Sequence, residues 1–168
     1  MPDYQPLNVH LKTERLRLRP WDTSDVDEYR ALMTERGDGE PSVADVRERI
    51  ATQLAATEAT GLALLAVCRR HEGDFIGYCG LTVHRSSLDE PEIAYELFQS
   101  ARGLGYATEA GQAVVGAAIA TGRTRLWATV GSWNTPSFRV LEKLGFKRDH
   151  VTTKEDGEEV VWLTRVLP

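Results

Sequence analysis

A glycine-rich segment runs Arg102-Gly103-Leu104-Gly105-Tyr106-Ala107-Thr108. It lies between a stretch with strand character and a stretch with helical character. The two glycines leave neighbouring backbone N–H groups uncovered by side chains. The first turn of the following helix adds free N–H donors at the positive end of its dipole. The segment therefore predicts an anion-binding site, and a tight strand-to-helix turn that merely needs glycine is the alternative.

Two other phosphate-binding motifs do not match this segment. A dinucleotide-binding fingerprint needs a third glycine where Thr108 stands, and it belongs to the first strand–helix unit of a parallel sheet. The nucleotide P-loop pattern GxxxxGK[ST] does not occur in the sequence. The spacing thus disfavours a P-loop ATPase or kinase and a dinucleotide-dependent oxidoreductase.

Strand patterns precede the glycine-rich segment. Residues 62–68 and 75–83 are mostly apolar and flank the turn RHEGD, which predicts a hairpin. Residues 92–98 (EIAYELF) predict the next strand. Near the start of the chain, the alternation RLRLR at residues 15–19 predicts an edge or half-buried strand that ends at Pro20.

Two helices are predicted between the first strand and the hairpin. Ser24 is the expected N-cap of the first helix, because a helical apolar face follows it. Ser42 and Asp45 have the spacing of a capping box for the second helix, and Gly61 is its expected end.

After the glycine-rich segment, the helix presents a face of small residues that suits close packing on a sheet. These residues are Ala110, Ala113, Val114, Ala117, Ala118 and Thr121. A strand at 125–130 follows. A helix comes next, with Thr135 as the expected N-cap, Pro136 as its first residue and Gly145 as its end. A hairpin of residues 146–153 and 158–166 ends the chain. The predicted order is βααβββαβαββ, an α/β (α+β) fold with one mixed sheet, in a single domain over residues 1–168.

Composition narrows the classes of function. The 168 residues are 42% hydrophobic and 27% charged, as in ordinary globular proteins. A formal net charge of -5 argues against nonspecific nucleic-acid binding. Without an apolar run of signal-peptide or membrane-span length, we expect a cytoplasmic protein with no membrane partner. The histidines and cysteines lack metal-ligand spacing, so no metal is expected.

Four segments together resemble one family. RGLGYA at residues 102–107 is similar to the pyrophosphate signature of the GNAT superfamily of acetyl-CoA-dependent N-acetyltransferases. TERLRLRPW at 13–21, EIAYEL at 92–97 and NTPSFRVLEKLGF at 134–146 resemble its RimJ/RimL-like branch, which acetylates ribosomal proteins. The resemblance implies acetyl-CoA as the cosubstrate and an amine acceptor, either a protein N-terminus or a small molecule. It also allows a homodimer.

The resemblance implies a mostly antiparallel, twisted sheet whose fourth and fifth predicted strands splay apart to form a slot for the cosubstrate. A bulge in the fourth strand would expose backbone groups to the pantetheine and thioester. This would place Glu96, Leu97 and Phe98 beside the cosubstrate, with residues 102–108 on its pyrophosphate. An ordinary alternation of core and surface residues explains the composition of this strand equally well.

Asn134 and Ser137 begin the helix that would line the other side of the slot. The resemblance assigns Asn134 to a hydrogen bond with the pantetheine and Ser137 to the departing sulfur. A serine hydroxyl is a far weaker acid than a thiol, so hydrogen-bond donation or a water relay suits Ser137 better than proton transfer. Helix capping is the alternative role of both residues.

Glu92 is the first candidate for the base that deprotonates the amine, since many family members carry a glutamate early in this strand. Glu96 and Tyr95 are alternatives, and Glu92 could instead be a solvated charge at a strand end. Family members of this branch usually have aromatic residues where Phe98 and Arg102 stand, so the acceptor does not follow from the branch. A non-catalytic acyl-CoA-binding domain and a protein-interaction module are the other functional hypotheses.

Overall fold

The computed structural model describes residues 3–37 and 39–168. Its strands are β1 (Leu11–Lys12), β2 (Leu16–Arg19), β3 (Leu64–Arg69), β4 (Phe75–Thr82), β5 (Glu92–Leu97), β6 (Arg125–Gly131), β7 (Lys147–Thr153) and β8 (Glu159–Val166). Its helices are α1 (Val26–Glu35), α2 (Val43–Thr60), α3 (Tyr106–Ala120) and α4 (Thr135–Lys143). Among the described residues, none of these helices combines the length and apolar character needed to cross a membrane.

The strands form one sheet in the order β1-β2-β3-β4-β5-β6-β8-β7. Among the described residues, β5 and β6 are the only parallel neighbours, and they pair at a single position, Glu92 with Trp127. The two strands therefore separate toward Leu97 and Gly131, which confirms the predicted mixed sheet with a splayed pair. The predicted element order is also confirmed, with β1 as an additional strand. Two residues are too few to show a strand alternation, so no pattern predicted β1.

Helices cover the two faces of the sheet differently. On one face, α3 packs closely because its buried residues are small, and Ala110, Val114 and Ala118 are fully buried. At Gly111 a side chain would collide with Leu144, since a Cβ there would lie 2.6 Å from a leucine methyl carbon. On the other face, α1 and α2 form a second core over β3 and β4, in which Trp21 stacks on Tyr29 at 4.2 Å between ring centroids.

The observed N-cap matches the predicted one in α2 and differs from it in α1 and α4. Ser42 and Asp45 form the predicted capping box of α2, and Gly61 ends that helix at φ +72°. Ser24, in contrast, lies inside a 3₁₀ turn (Thr23–Asp25) that precedes α1, so its prediction as N-cap was wrong.

The side chain of Asp25 organises the 3₁₀ turn. It accepts the Asp22 N–H at 2.8 Å and a bidentate bond from Arg19, which no local pattern indicates. At α4 the N-cap is Asn134 rather than Thr135, one residue earlier than predicted.

Candidate active site

The glycine-rich loop turns directly into α3. Gly103 has φ +76° and Gly105 has φ +84°, both in the left-handed region where side chains are strained. Tyr106, Ala107 and Thr108 form the first helical turn. The N–H groups from Gly103 to Thr108 donate to no protein group among the described residues. Six uncovered N–H groups at the positive end of a helix make this loop a suitable anion site.

Arg15 holds the loop in this shape. Its Nη1 donates to the carbonyl oxygen of Leu104 at 2.9 Å, and its Nε donates to Glu109 at 2.7 Å. The guanidinium lies 4.3 Å from the centroid of the Tyr106 ring. Because the Leu104 carbonyl is drawn toward Arg15, the N–H groups of the loop are left for a ligand. The sequence predicted only a strand at Arg15, so this contact was missed.

Glu109 connects the residues around Arg15, and these residues with Thr13 are called the Glu109 cluster. Its carboxylate accepts bonds from the Arg15 backbone N–H at 2.9 Å and from the hydroxyl of Thr13 at 2.5 Å. Burial by itself raises the pKa of the Glu109 carboxyl, but the bonds from Thr13 and Arg15 outweigh it and leave that pKa below its usual value. A charged Glu109 thus stabilises the connection between the β1–β2 hairpin and α3.

An open cavity of about 680 Å³ adjoins the loop. Gly105 and Thr108 line it, together with Lys12, Lys143 and two glutamates, Glu14 and Glu109. Arg102 points elsewhere, because its Nε donates to the Leu97 carbonyl at 3.2 Å and ties the loop to the end of β5. The structure thus places a loop of free N–H groups beside a cavity lined by two lysines and two glutamates.

The slot opens by strand separation and not by a bulge. The β4–β5 ladder runs without a register shift from Thr82–Glu92 to Gly77–Leu97, and the Phe98 N–H continues it. The bulge predicted in this strand was therefore wrong. The ladder stays close at Gly77, where a Cβ would lie 2.0 Å from the Glu96 carbonyl oxygen. Beyond Glu92, the opposite edge of β5 is unpaired because β6 has diverged.

Glu96, Leu97 and Phe98 have side chains that point away from an open slot. Glu96 faces α1, where its carboxylate lies 2.5 Å from Nη2 of Arg36, and this bond raises the pKa of the Arg36 guanidinium. Leu97 is 5% exposed within the main core. Phe98 packs edge-on against Phe75 at 6.0 Å between centroids. Only the backbone of these residues is placed to meet a ligand, and Glu96 is already paired.

Alternating side chains of β5 point to opposite faces of the sheet. Tyr95 faces α4, and its hydroxyl lies 2.7 Å from Oγ of Ser137. Burial raises the pKa of Tyr95 to about 12, so the phenol is neutral near pH 7 and does not act as a base. Ser137 is half-buried at the start of α4, and its backbone N–H donates to Oδ1 of Asn134 at 3.4 Å. The capping role considered for Asn134 is thus present.

Glu92 points to the other face, at the position where β5 meets β6. It is 6% exposed, so it is not a solvated charge at a strand end. The Thr129 hydroxyl donates to its Oε1, while Nη1 of Arg85 donates to the same hydroxyl at 2.9 Å. An arginine can only donate, so the single hydroxyl proton of Thr129 is directed to Glu92. Oε2 of Glu92 is buried and has no partner among the described residues.

Comparison with known proteins agrees with this geometry. Residues 15–147 match the family model described as "Acetyltransferase (GNAT) domain". The chain therefore belongs to the GNAT family of acetyltransferases, as its sequence motifs predicted, and it is an acetyl-CoA-dependent acyltransferase.

Solved structures share the fold over nearly the whole chain. A GnaT-family acetyltransferase from Bordetella pertussis is 25% identical, with a TM-score of 0.83 and coverage of 94% of this chain and 99% of its own. An acetyltransferase from Agrobacterium tumefaciens is 28% identical, with a TM-score of 0.76 and coverage of 93% of each chain.

RimL, a ribosomal L7/L12 alpha-N-protein acetyltransferase solved in complex with coenzyme A, is 16% identical, with a TM-score of 0.82 over 97% of this chain and 98% of its own. At this identity the likeness shows a shared fold. No curated protein matches the chain at a significant level.

Proposed function

We propose that the chain is an N-acetyltransferase that moves the acetyl group of acetyl-CoA to a primary amine, on a protein N-terminus or a small molecule, by direct attack in a ternary complex. One observation carries the proposal. Glu92 and the Tyr95–Ser137 pair lie on opposite faces of the sheet at the splayed strands. An amine that enters on the Glu92 side would attack while the sulfur departs on the Ser137 side.

The loop at residues 103–108 supplies the binding energy for the pyrophosphate. Its free N–H groups and the α3 dipole favour an anion. Lys12 and Lys143 line the adjoining cavity with Glu14 and Glu109, and Glu109 is paired with Arg15. The residues present therefore fit acetyl-CoA, which brings an activated acetyl group as a thioester. The unpaired edge of β5 offers backbone N–H groups that can polarise the thioester carbonyl.

Two side chains carry the proton and charge changes. Glu92 accepts a proton from the ammonium form of the acceptor, directly or through water, because only the neutral amine has a lone pair for attack. Ser137 donates a hydrogen bond to the departing thiolate, and Tyr95 orients its hydroxyl. Since a thiol is more acidic than serine, stabilising the thiolate needs no proton transfer from Ser137.

A thiol-release assay over primary amines and short peptides tests the proposal, with the acetylated product identified by mass spectrometry. We expect free coenzyme A and N-acetylated amine in equal amounts. Binding of acetyl-CoA by calorimetry without release on any acceptor would instead indicate a non-catalytic acyl-CoA-binding domain. Absence of binding would favour an interaction module.

A further inference from the structure

The sheet face that carries Glu92 is only partly covered by helices. The core beneath α1 and α2 includes Ala66 of β3 and Phe75 of β4, but no described residue of β6, β7 or β8. All seven residues of β7 are exposed. An uncovered region thus extends over β6, β8 and β7, beginning where β5 pairs with β6.

Three aromatic side chains form a platform on this open region. Trp127, Trp162 and His150 lie on the same face, because Trp162 pairs directly with Thr129 on β6 and with His150 on β7. His150 stacks on Trp162 at 5.2 Å between centroids, and Trp127 meets Trp162 edge-on at 6.0 Å. Hereafter these three residues are called the aromatic platform.

The polar edges of both tryptophans are already satisfied. The indole N–H of Trp127 donates to Glu90 at 2.9 Å, and that of Trp162 donates to Thr152 at 3.0 Å. His150 stacks on Trp162, and the Arg125 guanidinium lies 5.8 Å from the centroid of the Trp127 ring. The part of each ring surface that stays exposed is what a ligand can contact. Such surfaces favour aromatic and apolar partners over neutral polar ones.

The buried carboxylate of Glu92, a hydrogen-bond acceptor, lies next to the platform. Glu92 is the register partner of Trp127, it is 6% exposed, and its Oε2 has no partner among the described residues. A buried carboxylate oxygen without a partner is energetically costly, and an ammonium group would satisfy it. The platform and Glu92 together therefore fit a cation attached to an aromatic body.

The remaining charges limit the ligand to one positive charge. Glu90 is already paired with Arg125 at 3.6 Å, and Arg85 approaches Thr129 beside Glu92. A second ammonium would meet these arginines, and the Asp149 carboxylate beside the platform is already bonded to the His150 ring at 2.6 Å. A polyamine is thus a poorer match than a monoamine that carries a ring.

From this juxtaposition we propose that the acceptor is a primary monoamine with an aromatic group, whose ammonium reaches Glu92 and whose ring lies on Trp127 and Trp162. The inference rests on the proposed acetyl transfer and adds the substrate class. It assigns specificity to the aromatic platform and leaves cosubstrate binding to the loop at residues 103–108.

Three small amines test the inference: 2-phenylethylamine, n-butylamine and putrescine, each assayed at fixed acetyl-CoA. We expect kcat/KM for 2-phenylethylamine to exceed that for either other amine by roughly tenfold or more, as an aromatic contact of ordinary strength would give. Trp162→Ala should lower kcat/KM for 2-phenylethylamine far more than for n-butylamine, so that the preference is lost. Trp162→Phe, which keeps a ring, should retain part of it.

Val151→Ala is the control, because Val151 is 54% exposed on β7 and pairs with Val161 of the main core, so its side chain points to the sheet face opposite to the platform. It should keep the preference. Equal rates for the three amines, or a preference that survives in Trp162→Ala, would overturn the inference while the proposed function stands. If acetyl-CoA binds but none of the amines or peptides is acetylated, the inference and the proposed function are both overturned. A dimer in light scattering that Trp162→Ala dissociates would assign the platform to a second copy instead.

Discussion

The hydroxyl of Tyr95 on β5 lies 2.7 Å from Oγ of Ser137 on α4, and this bond spans the two elements that border the slot. The neutral phenol fixes where the serine hydroxyl points. The serine hydroxyl is therefore held on the face of the sheet opposite to Glu92, as its proposed role at the departing sulfur requires.

Ser137→Ala should lower kcat by roughly 10- to 1,000-fold with little change in acetyl-CoA affinity, because the hydrogen bond strengthens as charge develops on sulfur. Steady-state kinetics and calorimetry measure the two quantities. Tyr95→Phe should lower kcat less, and the double variant should be no slower than Ser137→Ala, since the phenol acts through the serine. A loss confined to binding would make Ser137 a cosubstrate-binding or capping residue.

Gly105→Glu should abolish acetyl-CoA binding. The substitution strains the backbone at φ +84°, places a Cβ 3.2 Å from Arg15 and adds a negative charge at the anion site. Gly116→Glu makes the same chemical change on an exposed turn of the same helix, where a Cβ meets no atom within 4 Å, and should bind normally. Undiminished affinity of Gly105→Glu in calorimetry would remove the loop from the cosubstrate site.

Glu92→Gln should lower kcat/KM by on the order of 10²-fold for an alkylamine, because it removes the proton acceptor and keeps the shape. An alkyl ammonium has a pKa near 10.4 and an α-amine near 7.7, so an α-amine should lose less, and higher pH should restore part of either rate.

Glu96→Gln is the control for this prediction, since Glu96 is already bonded to Arg36, and its pH profile should match that of the wild type. A wild-type pH profile in Glu92→Gln, or the loss appearing in Glu96→Gln, would exclude Glu92 as the base.

The Glu109 cluster predicts a pH-dependent contribution to stability. A carboxyl whose pKa is lowered by folding stabilises the folded state above its unfolded pKa, near 4.3, and the stabilisation is lost as pH falls through the folded value. Glu109→Gln should therefore lower Tm at pH 7, by roughly 2–4 °C if about 1 kcal/mol is lost, and the difference should shrink below about pH 4.

Calorimetric scans from pH 7 to pH 3 measure this effect, with Glu142→Gln, an exposed position on α4, as the control. A Tm difference for Glu109→Gln that is constant with pH would show that the carboxylate charge contributes nothing.

Local patterns predicted the elements and the glycine loop, because these depend on neighbours in sequence. The capping box at Ser42, the end of α2 at Gly61 and the small-residue face of α3 are such features. The pairings of Arg15 with Glu109 and of Arg36 with Glu96 join residues far apart in the chain. No sequence periodicity predicts these ion pairs. They determine which carboxylates are already bonded to an arginine.

Local sequence patterns also could not predict that Glu92 is buried. A glutamate at the start of a strand is normally solvated, and its burial here follows from the pairing of β5 with β6 and from the Thr129 contact. The prediction of a bulge, which came from the family resemblance, was wrong because strand pairing determines the shape of β5. Gly77 keeps β4 close to β5, and the slot arises from where β6 diverges.

Initial velocities measured over a grid of acetyl-CoA and acceptor concentrations test the central claim most directly. Direct transfer across the slot, from one face of the sheet to the other, requires both substrates to be bound at once. We therefore expect intersecting lines in double-reciprocal plots. Parallel lines, the pattern of an acetylated-enzyme intermediate, would contradict direct attack between Glu92 and Ser137.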